Sequence, residues 1–267
     1  MKLRPISDLH FESFDYVPNL DRVSRTLFGK NFIPVMADES EQILLLAGDI
    51  TTAQYPHIEF YEDLCKRFRH VLEVPSNHFY YGGDFELQDE RHEARLKHIK
   101  NYTLLQNTFE IIDDVVFYGG AMWTNLNNSN PLDMQNAKNS MMDYRYIRNL
   151  TPEDTIHQYN LFVEGLELTR HDFTDHKLVV MSHHGPSYRS VGHRYIGNAL
   201  NSAFVSHADN VILNVKPIIW KHGHVHGSGR YTIGETEVIH NPRGYGDVSN
   251  IITDENPEFD PYLIVDV

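Results

Sequence analysis

A series of acidic, histidine and asparagine residues extends from one end of the 267-residue chain to the other and constrains what the chain can fold into. The series reads Asp8-x-His10, Gly48-Asp49, Asn77-His78, His183 and Gly223-His224-Val225-His226. Carboxylate and amide oxygens and imidazole nitrogens bind hard and borderline divalent cations. Because no thiolate belongs to the set, it favours Mn²⁺, Fe, Mg²⁺ or Zn²⁺ in a site other than a structural zinc site.

Each member of the series follows a short apolar run that predicts a β-strand. The runs cover residues 3–7, 42–47, 70–74, 177–181 and 218–220. Open α/β sheets bind ligands in the crevice at the carboxyl ends of their strands, so we expect the series to converge there. Alternate residues of an extended segment point to one side, which lets Asp8 aim with His10, and His224 with His226. Asp49 can bridge two cations about 3.5–4 Å apart.

The order of the predicted elements indicates a layered α/β fold. Strands alternate with helices predicted over residues 56–68, 84–102 and 151–170, and the last third of the chain is rich in strands. This pattern favours a mixed sheet or two sheets in a single domain over residues 1–267. Residues 125–148 are polar and rich in Asn and Met, and we predict a helical excursion there. Pro5 removes a ladder donor, so its strand should lie at an edge or be irregular.

Net charge and cysteine content limit which classes of partner and which cellular compartment fit this sequence. A formal net charge of −14 repels long polyanions, so we expect no duplex nucleic acid partner and disfavour a nuclease. Two bound dications would add about four positive charges locally and could still attract a phosphate. Cys65 is the lone cysteine, which excludes an intrachain disulfide. Without a signal-peptide pattern or a ~20-residue apolar span, we expect a cytoplasmic protein with no membrane partner and leave its oligomeric state open.

The full series resembles that of the calcineurin-like metallophosphoesterases. The resemblance extends from residue 3 to the last strand, and four further stretches resemble a compact bacterial and phage branch of that family. These are Ser7-Asp8-Leu9-His10, Leu46-Ala47-Gly48-Asp49-Ile50, His183-His184-Gly185-Pro186-Ser187 and Asn241-Pro242-Arg243-Gly244-Tyr245. The resemblance implies an α/β fold in which a two-sheet β-sandwich is flanked by helices in α/β/β/α layers. A lid or insertion would lie around residues 125–150.

The resemblance also implies two divalent metal ions, with Mn²⁺ expected first and Fe, Zn²⁺, Ni²⁺ or Mg²⁺ as alternatives. Transferred residue by residue, the ligands of one metal are Asp8, His10, Asp49 and His226. The ligands of the other are Asp49, Asn77, His183 and His224, so that Asp49 bridges the two. His78 would lie near the leaving-group oxygen and stabilise or protonate it.

The chain departs from the family pattern at two positions beside these residues. Ser76 stands where the family usually has Gly, and a Cβ there would cost about 1 kcal/mol or more if the position needs a positive φ. Phe79 stands where the family often has an acidic residue next to His78. That carboxylate can help to orient and charge the histidine, and the sequence offers no replacement at this position.

These expectations describe a phosphoester hydrolase with His78 and Asp49 as its catalytic residues. A water or hydroxide between the two cations would attack phosphorus, and His78 would assist departure of the alkoxide. The substrate would be a small phosphoester, nucleotide-like or otherwise, cleaved as a diester or a monoester. Candidate substrate contacts are Arg243, Tyr80, Tyr81 and His184. Two alternatives stay open: a protein phosphatase on phosphoserine or phosphothreonine, and a catalytically impaired binding module with the same fold.

Overall fold

The computed structural model describes residues 1–13, 32–55, 57–246, 250 and 252–267. The strands of the first sheet are β1 (Lys2–Ile6), β2 (Gln42–Leu46), β3 (His70–Glu73), β4 (Tyr102–Leu104) and β11 (Val265–Asp266). Their order is β11-β1-β2-β3-β4. Strands β1 to β4 are parallel, and β11 is antiparallel to β1.

A second sheet is built from later parts of the chain. Its strands are β5 (Thr108–Ile112), β6 (Val115–Gly120), β7 (Lys177–Ser182), β8 (Ile219–His222), β9 (Gly229–Ile233) and β10 (Thr236–His240). The order is β5-β6-β7-β8-β10-β9. The four inner strands are parallel, and each edge strand is antiparallel to its neighbour.

The described helices are connected to these strands along the chain. They are α1 (Ile58–Arg67), α2 (Gln88–Leu96), α3 (Leu126–Ser129), α4 (Pro131–Ser140), α5 (Asp143–Tyr146), α6 (Pro152–Asp172), α7 (Asn201–Phe204) and α8 (Asp209–Val215). Among the residues that the structure describes, no helix combines the length and the apolar character needed to cross a bilayer.

Strand β2 shows why the core has several layers. Its residues Ile43 and Leu45 share a buried cluster with Phe117 and Val179 of the second sheet, so the two sheets pack face to face. The alternate residues Leu44 and Leu46 face a different cluster, which holds the apolar side of α1. Because both faces of β2 are buried, its sequence is a continuous aliphatic run. On the outer face of the second sheet, α6 and α8 complete a third cluster. The expected two-sheet sandwich flanked by helices is confirmed.

Pro5 lies in an inner strand, so the expected edge position is wrong. Strand β11 pairs only with Lys2 and Leu3, and Pro5 therefore lies beyond the end of that neighbour. The carbonyl of Pro5 accepts a hydrogen bond of 3.0 Å from the Asn241 side chain instead of a strand. The missing N–H of proline is tolerated because this flank of β1 is covered by a side chain at that point.

The predicted helices agree with the structure to different degrees. Helix α6 begins as expected, because Thr151 and Asp154 form a reciprocal capping box and Pro152 occupies the first turn. Helix α1 is two residues shorter at its start than predicted, and Pro56 lies outside the described residues. The helix predicted over 84–102 is too long, since α2 ends at Leu96 and the chain enters β4 at Tyr102. Residues 125–150 contain α3, α4 and α5, and their role as a lid stays a prediction.

Candidate functional site

The predicted residues meet at the carboxyl ends of β1, β2, β3, β7 and β8. Backbone hydrogen bonds join the loops that carry them. The Asp8 amide donates to the Gly48 carbonyl at 3.0 Å, and the His10 amide donates to the Asp49 carbonyl at 2.9 Å. Across the sheets, the His224 amide donates to Oδ1 of Asp8 at 3.0 Å. The strand ends of both sheets therefore position one shared set of side chains.

The first candidate ligand group consists of Asp8, His10, Asp49 and His226, whose ligand atoms all lie within 4.8 Å of one another. The Nε2 atoms of His10 and His226 are 3.2 Å apart. Asp8 Oδ1 lies 3.3 Å from Nε2 of His226, and Asp49 Oδ2 lies 3.7 Å from Nε2 of His10. Two ligands with metal bonds of about 2.1 Å at a right angle are about 3 Å apart, so the donors have the spacing of neighbours around one cation.

The second candidate group consists of Asp49, His183 and His224, with ligand atoms again within 4.8 Å of one another. Nε2 of His183 lies 3.4 Å from Asp49 Oδ2 and 3.0 Å from Oδ1 of Asn77. Nδ1 of His183 is 2.9 Å from the Ala47 carbonyl, to which it donates, so Nε2 presents its lone pair to the site. Nε2 of His224 is buried and has no hydrogen-bond partner among the described residues. A buried nitrogen in this position suits a metal ligand.

The electrostatics of the site act in different directions on its donors. Burial lowers the pKa of His226, but Asp8 and Glu255 outweigh it and raise that pKa to about 10, so a cation must displace a proton from this ring.

Asp49 and His224, in contrast, are already in the protonation states that cations require. Burial opposes ionisation of Asp49, but His183, His78 and His10 outweigh it and hold the pKa of this carboxyl well below its usual range. Burial, with the neighbouring imidazoles of His184 and His183, lowers the pKa of His224 well below the ordinary histidine value. The carboxylate is therefore charged and this imidazole neutral at neutral pH.

Backbone conformation is unusual at the same positions. Asp8, His10, Asp49 and His224 have φ angles of 57°, 52°, 52° and 65°, which side chains rarely adopt. Non-glycine residues in this region cluster at functional sites, where the surrounding structure enforces them. Gly48 also has a positive φ, of +82°, and an added Cβ would lie 2.4 Å from Nδ1 of His183. Glycine is required here because the imidazole of His183 occupies the space of a side chain.

Ser76 does not carry the expected strain. It is not among the described residues with positive φ, so its Cβ has no conformational cost of that kind. The side chain is buried, and its hydroxyl accepts a hydrogen bond of 3.2 Å from the Phe79 amide. Serine thus stabilises the turn that carries Asn77.

His78 has a carboxylate partner that the sequence did not reveal. Its Nδ1 lies 2.8 Å from Oε1 of Glu12, and the same oxygen lies 2.8 Å from Nδ1 of His10. The phenol of Tyr245 is 3.2 Å from Nε2 of His78. Burial disfavours the charged imidazole, but Asp49 and Glu12 outweigh this effect and raise the pKa of His78 to about 9. Glu12 therefore replaces the carboxylate missing at Phe79.

Two further carboxylates lie behind the candidate ligands. Asp143 Oδ1 accepts hydrogen bonds from the Asn77 amide at 2.8 Å and from the Tyr81 hydroxyl at 2.6 Å. With its nitrogen held in this way, Asn77 directs its oxygen to the site. Glu255 lies 2.8 Å from Nδ1 of His226. One signal for Glu12 was present in the sequence, because it is an acidic residue two positions after the candidate ligand His10.

The structure places one of the four candidate substrate contacts in the cleft and the other three in the protein interior. Tyr81 lines the cleft and stacks on His78 with a ring separation of 4.2 Å. Tyr80 is buried in the core and donates to Asp89 at 2.8 Å, so it cannot reach a ligand in the cleft. Arg243 is also fully buried, with its guanidinium 4.0 Å above the Phe32 ring.

His184 likewise lies behind the site. Its ring is 4.3 Å from that of His224, and its Nδ1 is 3.2 Å from the Ala121 carbonyl. Burial and the neighbouring His183 lower its pKa to about 3. The structure thus corrects the expected contacts of Arg243, Tyr80 and His184, and it brings Tyr245, two residues after Arg243, to the cleft instead.

The centre opens into a cleft of about 810 Å³. Asp49, Asn77, His78, His224 and His226 line its inner end. A molecule in this cleft could therefore place one group against the candidate ligands while the rest of it contacts other walls.

Comparisons with known proteins find relatives in sequence and in overall fold. The sequence model of calcineurin-like phosphoesterases matches residues 1–228. An uncharacterized protein, L509, of Acanthamoeba polyphaga mimivirus is 25% identical over 292 residues, which cover 99% of this chain and 96% of that protein. The structure of phosphopantetheinyl hydrolase from Mycobacterium tuberculosis has a TM-score of 0.63 at 14% identity, over 91% of this chain and 89% of that one. A dimetal phosphatase from Danio rerio has a TM-score of 0.47 at 14% identity, over 90% and 86% of the two chains.

Replacing Gly48 with alanine tests whether its positive φ and the contact with His183 require glycine at this position. Gly48→Ala should lower the free energy of unfolding by about 2 kcal/mol or more, because it combines a left-handed φ with a clash at His183. Gly227→Ala is the matched control, since an added Cβ there meets nothing within 4 Å. Urea denaturation of both variants measures the difference, and equal midpoints would contradict the proposed constraint.

Proposed function

The chain belongs to the calcineurin-like phosphoesterase family and is a metal-dependent phosphoester hydrolase, and from this premise we propose that it hydrolyses a small phosphoester at a centre for two divalent cations. The proposed ligands of the first cation are Asp8, His10, Asp49 and His226, and those of the second are Asp49, Asn77, His183 and His224. We expect Mn²⁺ in both positions. We place the enzyme in the cytoplasm, where a lone thiol such as Cys65 stays reduced.

One observation carries the proposal: Asp49 Oδ2 belongs to both candidate groups. It lies 3.7 Å from Nε2 of His10 in the first and 3.4 Å from Nε2 of His183 in the second. A carboxylate between two sets of imidazoles is the arrangement that two adjacent cations require. Bound there, two divalent cations would supply positive charge for the phosphate oxygens and lower the pKa of a water molecule.

The other residues have roles that follow from their contacts. Glu12 holds Nδ1 of His78, which leaves Nε2 facing the cleft where a leaving-group oxygen would lie. A proton on this nitrogen could stabilise that oxygen as it departs. The Tyr245 hydroxyl, 3.2 Å away, helps to fix the direction of the ring. We regard His78 and Asp49 as the catalytic residues, and Glu12 as the positioning residue of His78.

The shape of the cleft favours a small molecule over a phosphoprotein. Met141 and Met142, between α4 and α5, and Asp143, the first residue of α5, form one of its walls. A protein phosphatase needs an open surface around the phosphoserine, whereas this wall encloses the approach to the centre.

Substitutions of Asp49 and His78 separate metal binding from catalysis. Asp49→Ala should lose both metals and all activity, because it removes the shared ligand. His78→Ala should retain metal while turnover falls by about 10²–10⁴-fold, as for removal of a general acid. Elemental analysis and a chromogenic assay measure both effects, with exposed His98 as the control position. Metal loss in His78→Ala would contradict the assignment.

Metal-stripped protein tests the reaction itself. We expect activity to return on addition of Mn²⁺, and to a smaller extent Ni²⁺, Zn²⁺ or Mg²⁺, with p-nitrophenyl phosphate or bis-p-nitrophenyl phosphate as substrate. The ratio of the two rates shows whether the enzyme prefers a monoester or a diester. No activity with any metal and either substrate would favour the binding module.

Glu12→Gln tests the positioning of His78. We expect about a 10–100-fold loss of activity, larger for an alkyl phosphate than for p-nitrophenyl phosphate, because the poorer leaving group needs more assistance. Glu255→Gln is the matched control, since Glu255 bonds to His226 but not to His78. Its loss should be equal for both substrates. The same ratio for both variants would show that Glu12 acts only through the metal centre.

A further inference from the structure

The cleft beside the candidate centre is much larger than a phosphate group. Its volume is about 810 Å³. Pockets of roughly 300–1,000 Å³ enclose whole drug-sized ligands, so a phosphate at the inner end would fill only a small part of this one. His78 and Tyr245 line the same cleft, so a leaving group that departs beside His78 would lie within it.

The outer walls of the cleft are mainly apolar. They come from the segment between α4 and α5 and from the segment between β7 and α7. Their apolar residues are Met141, Met142, Val191, Tyr195 and Leu200, while Phe204 at the end of α7 stacks on His224 at the centre. Met142 and Tyr195 remain 40% and 44% exposed, and Tyr245 at the centre is 42% exposed. Large apolar side chains that stay exposed together in a cleft indicate a surface that a ligand covers.

The wall that contains Val191 is joined by hydrogen bonds to the strands beneath the site. The hydroxyl of Ser190 lies 2.8 Å from Nε2 of His222 and 2.7 Å from the hydroxyl of Tyr231. His222 is the last residue of β8 and directly precedes the Gly223-His224 turn. These hydrogen bonds connect the Val191 wall to the strand that leads to His224, which positions the wall beside the candidate ligands.

The charges of the cleft disfavour a second anionic group on the ligand. Arg194 is the one lysine or arginine among the described residues that line it, and its guanidinium lies 4.7 Å above the ring of Tyr195. Asp143, Glu255 and Glu258 add negative charge to the lining. Carboxylates repel additional phosphates, so a nucleoside diphosphate or another polyanionic leaving group is a poor match for these walls.

We infer that the leaving group of the natural substrate is an extended, uncharged alcohol with a largely apolar body, which lies along Met142, Val191 and Tyr195 while the phosphate meets the candidate metal centre. The inference rests on the proposed function, because the metal centre defines where the phosphate lies. It goes beyond that function by naming the leaving-group class and the residues that select it.

The test measures binding as well as turnover. Calorimetry with the Mn²⁺-loaded protein compares methyl-, butyl- and octylphosphonate, which cannot be hydrolysed, with an oligoethylene glycol phosphonate of the same length as octyl. We expect affinity to rise by up to about fourfold per buried methylene, and at least about tenfold from methyl to octyl. The glycol should bind no better than butylphosphonate. Equal affinities across the alkyl series, or tighter binding of the glycol, would overturn the inference.

Variants of the wall identify where the alkyl body lies. The double variant Met142→Ser/Tyr195→Ser should reduce the octyl-to-methyl affinity ratio by about fivefold or more. Ile196→Ser is the matched control, because Ile196 is 69% exposed in the same segment and does not line the cleft. An unchanged ratio in the double variant would exclude this wall.

Turnover of the matching alkyl phosphates separates the two proposals. Chain-length-dependent binding without hydrolysis would refute the proposed function while the leaving-group surface stands. Hydrolysis with the same kcat/KM for methyl and octyl phosphate, together with equal phosphonate affinities, would refute the inference and leave the proposed function in place.

Discussion

The carboxylate of Asp49 is the group on which the rest of the site depends. It is buried, it is ionised, and its Oδ2 atom faces imidazoles on both sides. A buried charge of this kind is tolerated only with compensating positive charge, which explains why histidines from four separate loops surround it. The two sheets are packed so that their carboxyl ends meet at this residue. The packing of the two sheets therefore places the groups that compensate the charge of Asp49.

A second set of carboxylates gives the histidines and Asn77 their orientation. Glu12, Asp143 and Glu255 each bond to the side of a ring or amide that faces away from the centre. Such partners set which nitrogen presents its lone pair and increase the basicity of the ligand. They also make the centre strongly acidic, in a chain whose net charge is already −14. Divalent cations would neutralise this negative charge. The mainly apolar outer cleft would then select the leaving group attached to the phosphate.

The strands and the ligand series were predictable because they depend on local patterns. Continuous aliphatic runs such as Gln42–Leu46 indicate strands that are buried on both faces, and the ligands follow those runs directly. Helix ends were less predictable, since the polar stretch after Asp84 forms a helix only from Gln88. The turn after Asn241 was recognised by its motif, but the motif did not show that Arg243 points into the core and Tyr245 into the cleft.

The sequence by itself determined the family, the layered fold and the identity of the donor atoms, because strand periodicity and donor chemistry are properties of short segments. Only the tertiary structure decided which carboxylate supports His78. Glu12 is 66 residues away from it, and no local pattern encodes a contact across that separation. The same holds for the cleft walls, which come from segments on either side of the centre. Their shape and charge arise from packing between distant parts of the chain, and we infer that these properties select the leaving group.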